Sequence, residues 1–210
     1  MVQVKICGVT NLEDALAAAE AGARMLGFNF YPKSPRYITP GEARRIVESL
    51  PPGVKGYGVF VNEEGPAVVK AIARKAGLSA VQLHGDESPG FCDALGGLFT
   101  IKALRVGPGY DIASARGYRT DAVLLDAYSG EAYGGTGKTF DWAVARATRE
   151  AVGRLFLAGG LTPDTVAAAV EAVRPYAVDV CSGVESSPGR KDHALVRRFV
   201  EAARAATPPD

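Results

Sequence analysis

Apolar and polar positions alternate through Val2-Gln3-Val4-Lys5-Ile6-Cys7 before Gly8 breaks the run. Successive side chains of a strand point to opposite faces, so Val2, Val4 and Ile6 share one face and Gln3, Lys5 and Cys7 the other. A lysine and a thiol on the same face do not describe an ordinary core strand. From Asn11 the pattern changes to an Ala-rich helical one that runs to Ala21, with Thr10 or Asn11 as cap and Gly22 as stop. This change of period recurs along the chain. Short apolar runs predict strands at 25–30, 55–61, 80–83, 99–103, 122–125, 154–158 and 176–180. Helical stretches follow each: from Thr39-Pro40, at 64–76, at 88–95, a weak one at 111–115, from Asp141-Trp142, from Thr162-Pro163-Asp164, and at 192–206. A Gly-rich loop covers 127–139, and 207–210 frays.

Strand and helix therefore alternate eight times, which implies a parallel sheet with helices outside it. Eight units are what a closed (β/α)8 barrel, the TIM barrel, requires, and a doubly wound open sheet more often has five or six strands. The expected fold is α/β, a single barrel domain over residues 1–210 with little decoration.

Composition narrows the classes without deciding among them. Hydrophobic residues make up 47% and charged residues 22%, a globular balance, and the formal net charge of +1 gives no reason to expect nucleic acid or an anionic membrane as partner. Lys5 interrupts any signal-like start, and nothing approaches the roughly 18 apolar residues of a membrane span. Cys7, Cys92 and Cys181 are odd in number and form no C-x-x-C, so neither a disulfide framework nor a zinc site is expected, and a cytoplasmic location is. Only His84 and His193 are present, which argues against a histidine-rich metal site.

Barrel enzymes carry their active sites at the C-terminal ends of the strands. Here those ends bring Cys7, Asn29, His84, Asp126, Gly159, Gly160, Ser182 and Gly183. Each has a plain reading beside the chemical one. Cys7 is either a small buried hydrophobe or a thiolate favoured by Lys5 two residues before it. Lys5 is expected to pair with Asp179, inward-facing on the neighbouring eighth strand. Asp126 either caps a loop or is a general acid kept protonated by apolar surroundings. Gly159-Gly160 and Ser182-Gly183 end strands 7 and 8, where tight turns and phosphate sites both use glycine. Arg36 is either a solvated loop residue or a bidentate clamp for a carboxylate. His84 either orients a ligand or bonds locally. Gly134-Gly135-Thr136-Gly137-Lys138-Thr139 lacks the glycine a nucleotide P-loop needs at 132, where Ala132 stands, and reads as an active-site loop.

Several stretches together resemble the phosphoribosylanthranilate isomerases of tryptophan biosynthesis. They are Lys5-Ile6-Cys7-Gly8, Phe30-Tyr31-Pro32-Lys33-Ser34-Pro35-Arg36, Gln82-Leu83-His84-Gly85, Leu125-Asp126 with Gly134-Gly135-Thr136-Gly137, Leu157-Ala158-Gly159-Gly160-Leu161, and residues 179–185. The resemblance runs from end to end of the chain. It implies an Amadori rearrangement without metal or organic cofactor. N-(5-phospho-β-D-ribosyl)anthranilate would become 1-(2-carboxyphenylamino)-1-deoxy-D-ribulose 5-phosphate. Asp126 would be the general acid, Cys7 the general base and Arg36 the ligand of the anthranilate carboxylate. Gly159, Gly160, Ser182 and Gly183 would hold the phosphate. Three competing readings remain: a metal-dependent epimerase, an aldolase using Lys102 as its Schiff-base lysine, and a non-catalytic phospholigand-binding barrel. A monomer and a homodimer are both compatible with the sequence.

Overall fold

Every predicted apolar run forms a strand in the computed structural model, which describes residues 1–127 and 141–206. The strands are β1 (Gln3–Ile6), β2 (Met25–Asn29), β3 (Lys55–Phe60), β4 (Ala80–Leu83), β5 (Phe99–Val106), β6 (Ala122–Ala127), β7 (Leu155–Leu157) and β8 (Ala177–Val180). Each pairs in parallel with the next, and β8 returns to β1 with Lys5 opposite Asp179 and Ile6 opposite Val180. Closure leaves this sheet no unpaired edge. The fold is a (β/α)8 barrel.

The helices begin and end where local chemistry directs. They are α1 (Leu12–Ala21), α2 (Pro40–Glu48), α3 (Pro66–Lys75), α4 (Pro89–Asp93), α5 (Ile112–Arg116), α6 (Trp142–Ala151), α7 (Val166–Val173) and α8 (His193–Ala205). Asn11 accepts a hydrogen bond from the Asp14 N–H, and Gly22 closes α1 in the left-handed conformation at φ 104°. Thr39 and Glu42 form a reciprocal capping box ahead of α2, with Pro40 in its first turn. Asp192 caps α8 by accepting from Ala194 and Leu195. Among the described residues, no helix is long and apolar enough to cross a membrane.

Three details differ from the sequence pattern. β5 runs on to Val106, which sets Arg105 opposite Asp126 on β6. α7 starts at Val166 rather than at Thr162-Pro163-Asp164. Those residues form a turn, in which the Thr162 N–H donates to Thr165 Oγ1 at 3.0 Å. After β8 comes a short helical turn (Ser182–Val184), then a small antiparallel hairpin, β9 (Glu185–Ser187) with β10 (Arg190–Lys191). Elements of two or three residues are too short to carry a period.

The pleat divides the core in two. Even-numbered side chains of the early strands, such as Ile6, Phe28 and Phe60, pack outward with Phe199 of α8 and the other helices. Met25, Tyr57, Ile101, Leu124 and Phe156 fill the barrel's interior as an apolar floor. Above that floor the inward positions turn polar: Lys5, Gln82, Asp126 and Asp179 are all buried. Lys102 lies between the inward-facing Ile101 and Ala103, so its side chain points away from the interior. Its Nζ donates to Glu87 Oε2 and to the Gly85 carbonyl, both at 2.7 Å. A buried, ion-paired lysine outside the barrel's mouth is not a Schiff-base residue, and the aldolase reading loses its candidate. The pair instead braces the loop after β4, where Glu87 also accepts from the Gly85 and Asn62 N–H groups.

Candidate active site

One cleft opens at the C-terminal ends of the strands, and the strand-end candidates from the sequence line it together with Arg36. Cys7, Asn29, Arg36, His84 and Asp126 stand on its walls, and the Gly159-Gly160 and Ser182-Gly183 loops close one side. The chemistry divides between two sides.

Cys7 continues β1 by one residue, its N–H donating to the Val180 carbonyl at 2.8 Å. Below it, Lys5 Nζ lies 3.0 Å from Asp179 Oδ1, and the lysine is fully buried. The neighbouring Cys181 thiol helps to hold the Cys7 thiol well below its ordinary value. The Lys5 and Lys191 charges add to this and together outweigh burial, which acts the other way. Burial alone would pull Lys5 down, but the Asp179 and Cys7 charges hold it above the usual lysine range. Burial pushes Asp179 up to about 7 against the pull of Lys5.

Arg36 reaches the same side from the loop after β2. Asn29 orders that loop: its Oδ1 accepts from the Tyr31 N–H at 2.9 Å, and its Nδ2 donates to Ser34 Oγ at 3.1 Å. The Arg36 N–H donates to Ser34 Oγ at 3.2 Å. The guanidinium is not free, because Nε and Nη2 hold the Glu185 carboxylate in a fork at 2.9 and 2.7 Å. These hydrogen bonds raise the Arg36 pKa further above its already high value. Glu185 also receives Lys191 Nζ at 2.9 Å.

On the opposite side Asp126 lies at the end of β6. Its Oδ1 accepts from the Ala127 N–H at 2.9 Å, and its Oδ2 lies 3.2 Å from His84 Nε2. His84 Nδ1 is 2.8 Å from Gln82 Nε2. Gln82 Nε2 is a donor, so Nδ1 accepts and the neutral ring presents Nε2–H to the carboxylate. Gln82 Oε1 is buried and has no hydrogen-bond partner among the described residues. His84 therefore bonds Asp126, a connection the sequence left open.

The glycine loops are shaped by necessity. Gly159 and Gly160 both take left-handed backbone, at φ 86° and 66°, where a side chain is strained. A methyl group on Gly183 would collide with the Leu161 carbonyl oxygen, so glycine lets the loops after β7 and β8 approach each other. Apart from Ala127, the loop expected over residues 127–139, with its 134–139 glycine motif, lies outside the described residues. Among the described residues no cluster of three or more His, Cys, Asp or Glu side chains is arranged to hold a metal ion.

Glu185, Lys191 and Gln82 were not legible as site residues. Gln82 shares the inward register of His84, and alternation along β4 would have found it. Glu185 and Lys191 sit around a hairpin with no periodic signal.

Barrel fold and mouth-side cleft define the class: a (β/α)8 protein with a cleft at the strand ends, where barrel enzymes carry their sites. The particular family follows from comparison with known proteins. The family model for N-(5'-phosphoribosyl)anthranilate (PRA) isomerase matches residues 4–202. A Geobacter sulfurreducens N-(5'-phosphoribosyl)anthranilate isomerase is 56% identical over 97% of this chain and 99% of its own. A crystal structure of phosphoribosyl anthranilate isomerase from Thermotoga maritima is 48% identical, with a TM-score of 0.91 over 98% of this chain and 100% of its own. Another isomerase structure was solved in complex with reduced 1-(o-carboxyphenylamino)-1-deoxyribulose 5-phosphate. It is 46% identical with a TM-score of 0.88, again over 98% of this chain and 100% of its own. The chain belongs to the PRA isomerase family.

Proposed function

We propose that this protein is the aldose–ketose isomerase that rearranges N-(5-phospho-β-D-ribosyl)anthranilate to 1-(2-carboxyphenylamino)-1-deoxy-D-ribulose 5-phosphate in tryptophan biosynthesis. One observation supports the chemical assignment above all others. A thiol disposed to ionise and a carboxyl group face one cleft from β1 and β6, in a chain of this family.

The division of labour follows from that placement. Asp126 protonates the furanose ring oxygen, the C1–O bond breaks, and the ring opens to a Schiff base with the anthranilate nitrogen. His84 and the Ala127 N–H hold the Asp126 carboxyl in plane. The Cys7 thiolate removes the C2 proton, leaving an enolamine that tautomerises to the ketone. Arg36, its Nε and Nη2 committed to Glu185, keeps Nη1 for the anthranilate carboxylate. The phosphate rests against Gly159, Gly160, Ser182 and Gly183, where glycine lets backbone approach a ligand closely.

A non-catalytic phospholigand barrel would need neither Cys7 nor Asp126. The partner is then a small phosphorylated molecule rather than a nucleic acid, the location cytoplasmic, and the assembly a monomer or homodimer. Complementation decides between enzyme and binder. The intact gene is expected to restore growth without tryptophan to an auxotroph lacking this isomerase, and Cys7→Ser is expected not to. Binding of the substrate without product, and no growth, would overturn the reading.

A further inference from the structure

The reaction scheme above gives Glu185 no part, although it holds the residue that meets the substrate's carboxylate. Arg36 lines the cleft, and Glu185 stands behind it with its side chain 4% exposed. Three groups besides Arg36 fix that carboxylate. Oε1 accepts from Lys191 Nζ at 2.9 Å and from the Gly189 N–H at 3.3 Å, and the Cys181 S–H lies 3.9 Å away. Lys191 is itself fully buried, and its Nζ also donates to the Cys181 carbonyl at 3.2 Å. The β9–β10 hairpin that carries both residues is tied down in turn. Thr10 Oγ1 donates to the Gly189 carbonyl at 2.6 Å, and the Lys191 N–H donates to Asp14 Oδ2 at 2.9 Å. Glu185 is therefore a fixed post, held independently of Arg36.

The path of Arg36 is fixed as well. A methyl group on Gly8 would meet Arg36 Cδ at 2.7 Å, so the arginine stem crosses the backbone directly after Cys7. A guanidinium presents its N–H groups in one plane, and a carboxylate takes a pair of them along one edge. Glu185 takes the edge made by Nε and Nη2, at 2.9 and 2.7 Å. The adjoining edge pairs an N–H of Nη1 with the remaining one of Nη2, and among the described residues nothing else takes it. An arginine without the fork would keep its charge but lose its orientation, and bidentate recognition depends on orientation.

We propose that Glu185 is a positioning residue for substrate specificity: it turns the free edge of Arg36 to the cleft, so that the carboxylate on the substrate's ring is recognised by direction as well as by charge. Lys191 acts one step further back, by holding Glu185. The proposal rests on the reading of Arg36 as the ligand of that carboxylate.

The test is competitive inhibition by two analogues, reduced 1-(o-carboxyphenylamino)-1-deoxyribulose 5-phosphate and its counterpart without the carboxyl group. Both carry the ring and the phosphate, so the ratio of their inhibition constants reads recognition of the carboxylate alone. It is measured in the wild-type protein, Arg36→Ala, Glu185→Gln and the double variant Glu185→Gln/Lys191→Met. Arg36, Lys191 and Glu185 together carry one net positive charge. The double variant removes one cation and one anion, so that charge is kept, no lysine is left buried without its carboxylate, and the fork is lost. Circular dichroism checks that each variant is folded.

Both Glu185 variants are expected to lose about tenfold of the wild-type preference for the carboxylated analogue, with binding of the other analogue unchanged. In turnover, KM should rise more than kcat falls. A preference retained in the folded double variant but lost in Arg36→Ala overturns the positioning role and leaves the reading of Arg36 intact. A preference retained in Arg36→Ala overturns that reading itself. Equal weakening of both analogues in the Glu185 variants would mean that Glu185 supports the site without aiming Arg36, and would also overturn the proposal.

Discussion

The two sides of the cleft are built by opposite electrostatic means. The β1–β8 side surrounds Cys7 with ammonium groups and a second thiol, so the favoured form of the sulfur is the anion. Among the described residues, the β4–β6 side gives Asp126 no cation at hydrogen-bond distance, only a backbone N–H and an imidazole held by an amide. A base must be stable without its proton, whereas an acid must be able to keep one until it is needed. Dense charge serves the first requirement; on the other side neutral groups hold the Asp126 carboxyl in place. The same barrel supplies both because neighbouring strands share charged partners, while β4 and β6 meet only across the mouth.

The contrast is broken most severely by removing either reacting group. Cys7→Ser and Asp126→Asn are each expected to lower kcat by about 10²–10⁴-fold in a turnover assay, with the fold intact by circular dichroism. Next comes the electrostatic support of the base side. Lys5→Met leaves Asp179 buried without its partner, and denaturant unfolding is expected to show a loss of about 3–5 kcal/mol. The Cys7 pKa is held below its ordinary value, so the thiolate persists at neutral pH and activity falls only as pH drops through that depressed value. Without Lys5 that value rises, and the acid limb of kcat/KM should move to higher pH.

Smaller effects sharpen the comparison. Arg36→Ala removes the proposed carboxylate contact and is expected to raise KM by about 10–100-fold, with a lesser change in kcat. An unchanged KM would remove Arg36 from the site. His84→Ala takes away the ring that holds Asp126, and a fall in kcat of about tenfold is expected. Because His84 belongs to the acid side, the acid limb set by Cys7 should stay where it is. A shift of that limb in His84→Ala would mean that the two sides are not separate.

What the chain revealed in advance depended on whether a contact is periodic. The alternation of Val2 to Cys7 placed Lys5 and Cys7 on the interior face. It also predicted the Lys5–Asp179 pair, found at 3.0 Å although 174 residues separate its members. That worked because both residues sit at strand positions whose register the barrel fixes. The Glu185 fork on Arg36 joins two loops 149 residues apart, where no period exists to be read. The His84–Asp126 contact spans two strands that are not neighbours, so pairwise register does not foretell it. Lys102 shows the reverse error, since proximity to a strand end suggested chemistry while its place in the pleat turned it outward.

The assignment of acid and base is tested most directly by single-turnover spectroscopy with N-(5'-phosphoribosyl)anthranilate, following the anthranilate chromophore in Cys7→Ser and Asp126→Asn side by side. Cys7→Ser is expected to open the ring and accumulate the Schiff base without losing the C2 proton. Asp126→Asn is expected to bind substrate and leave the ring closed. Ring opening in Asp126→Asn together with a closed ring in Cys7→Ser would contradict the assignment, and so would normal turnover in either variant.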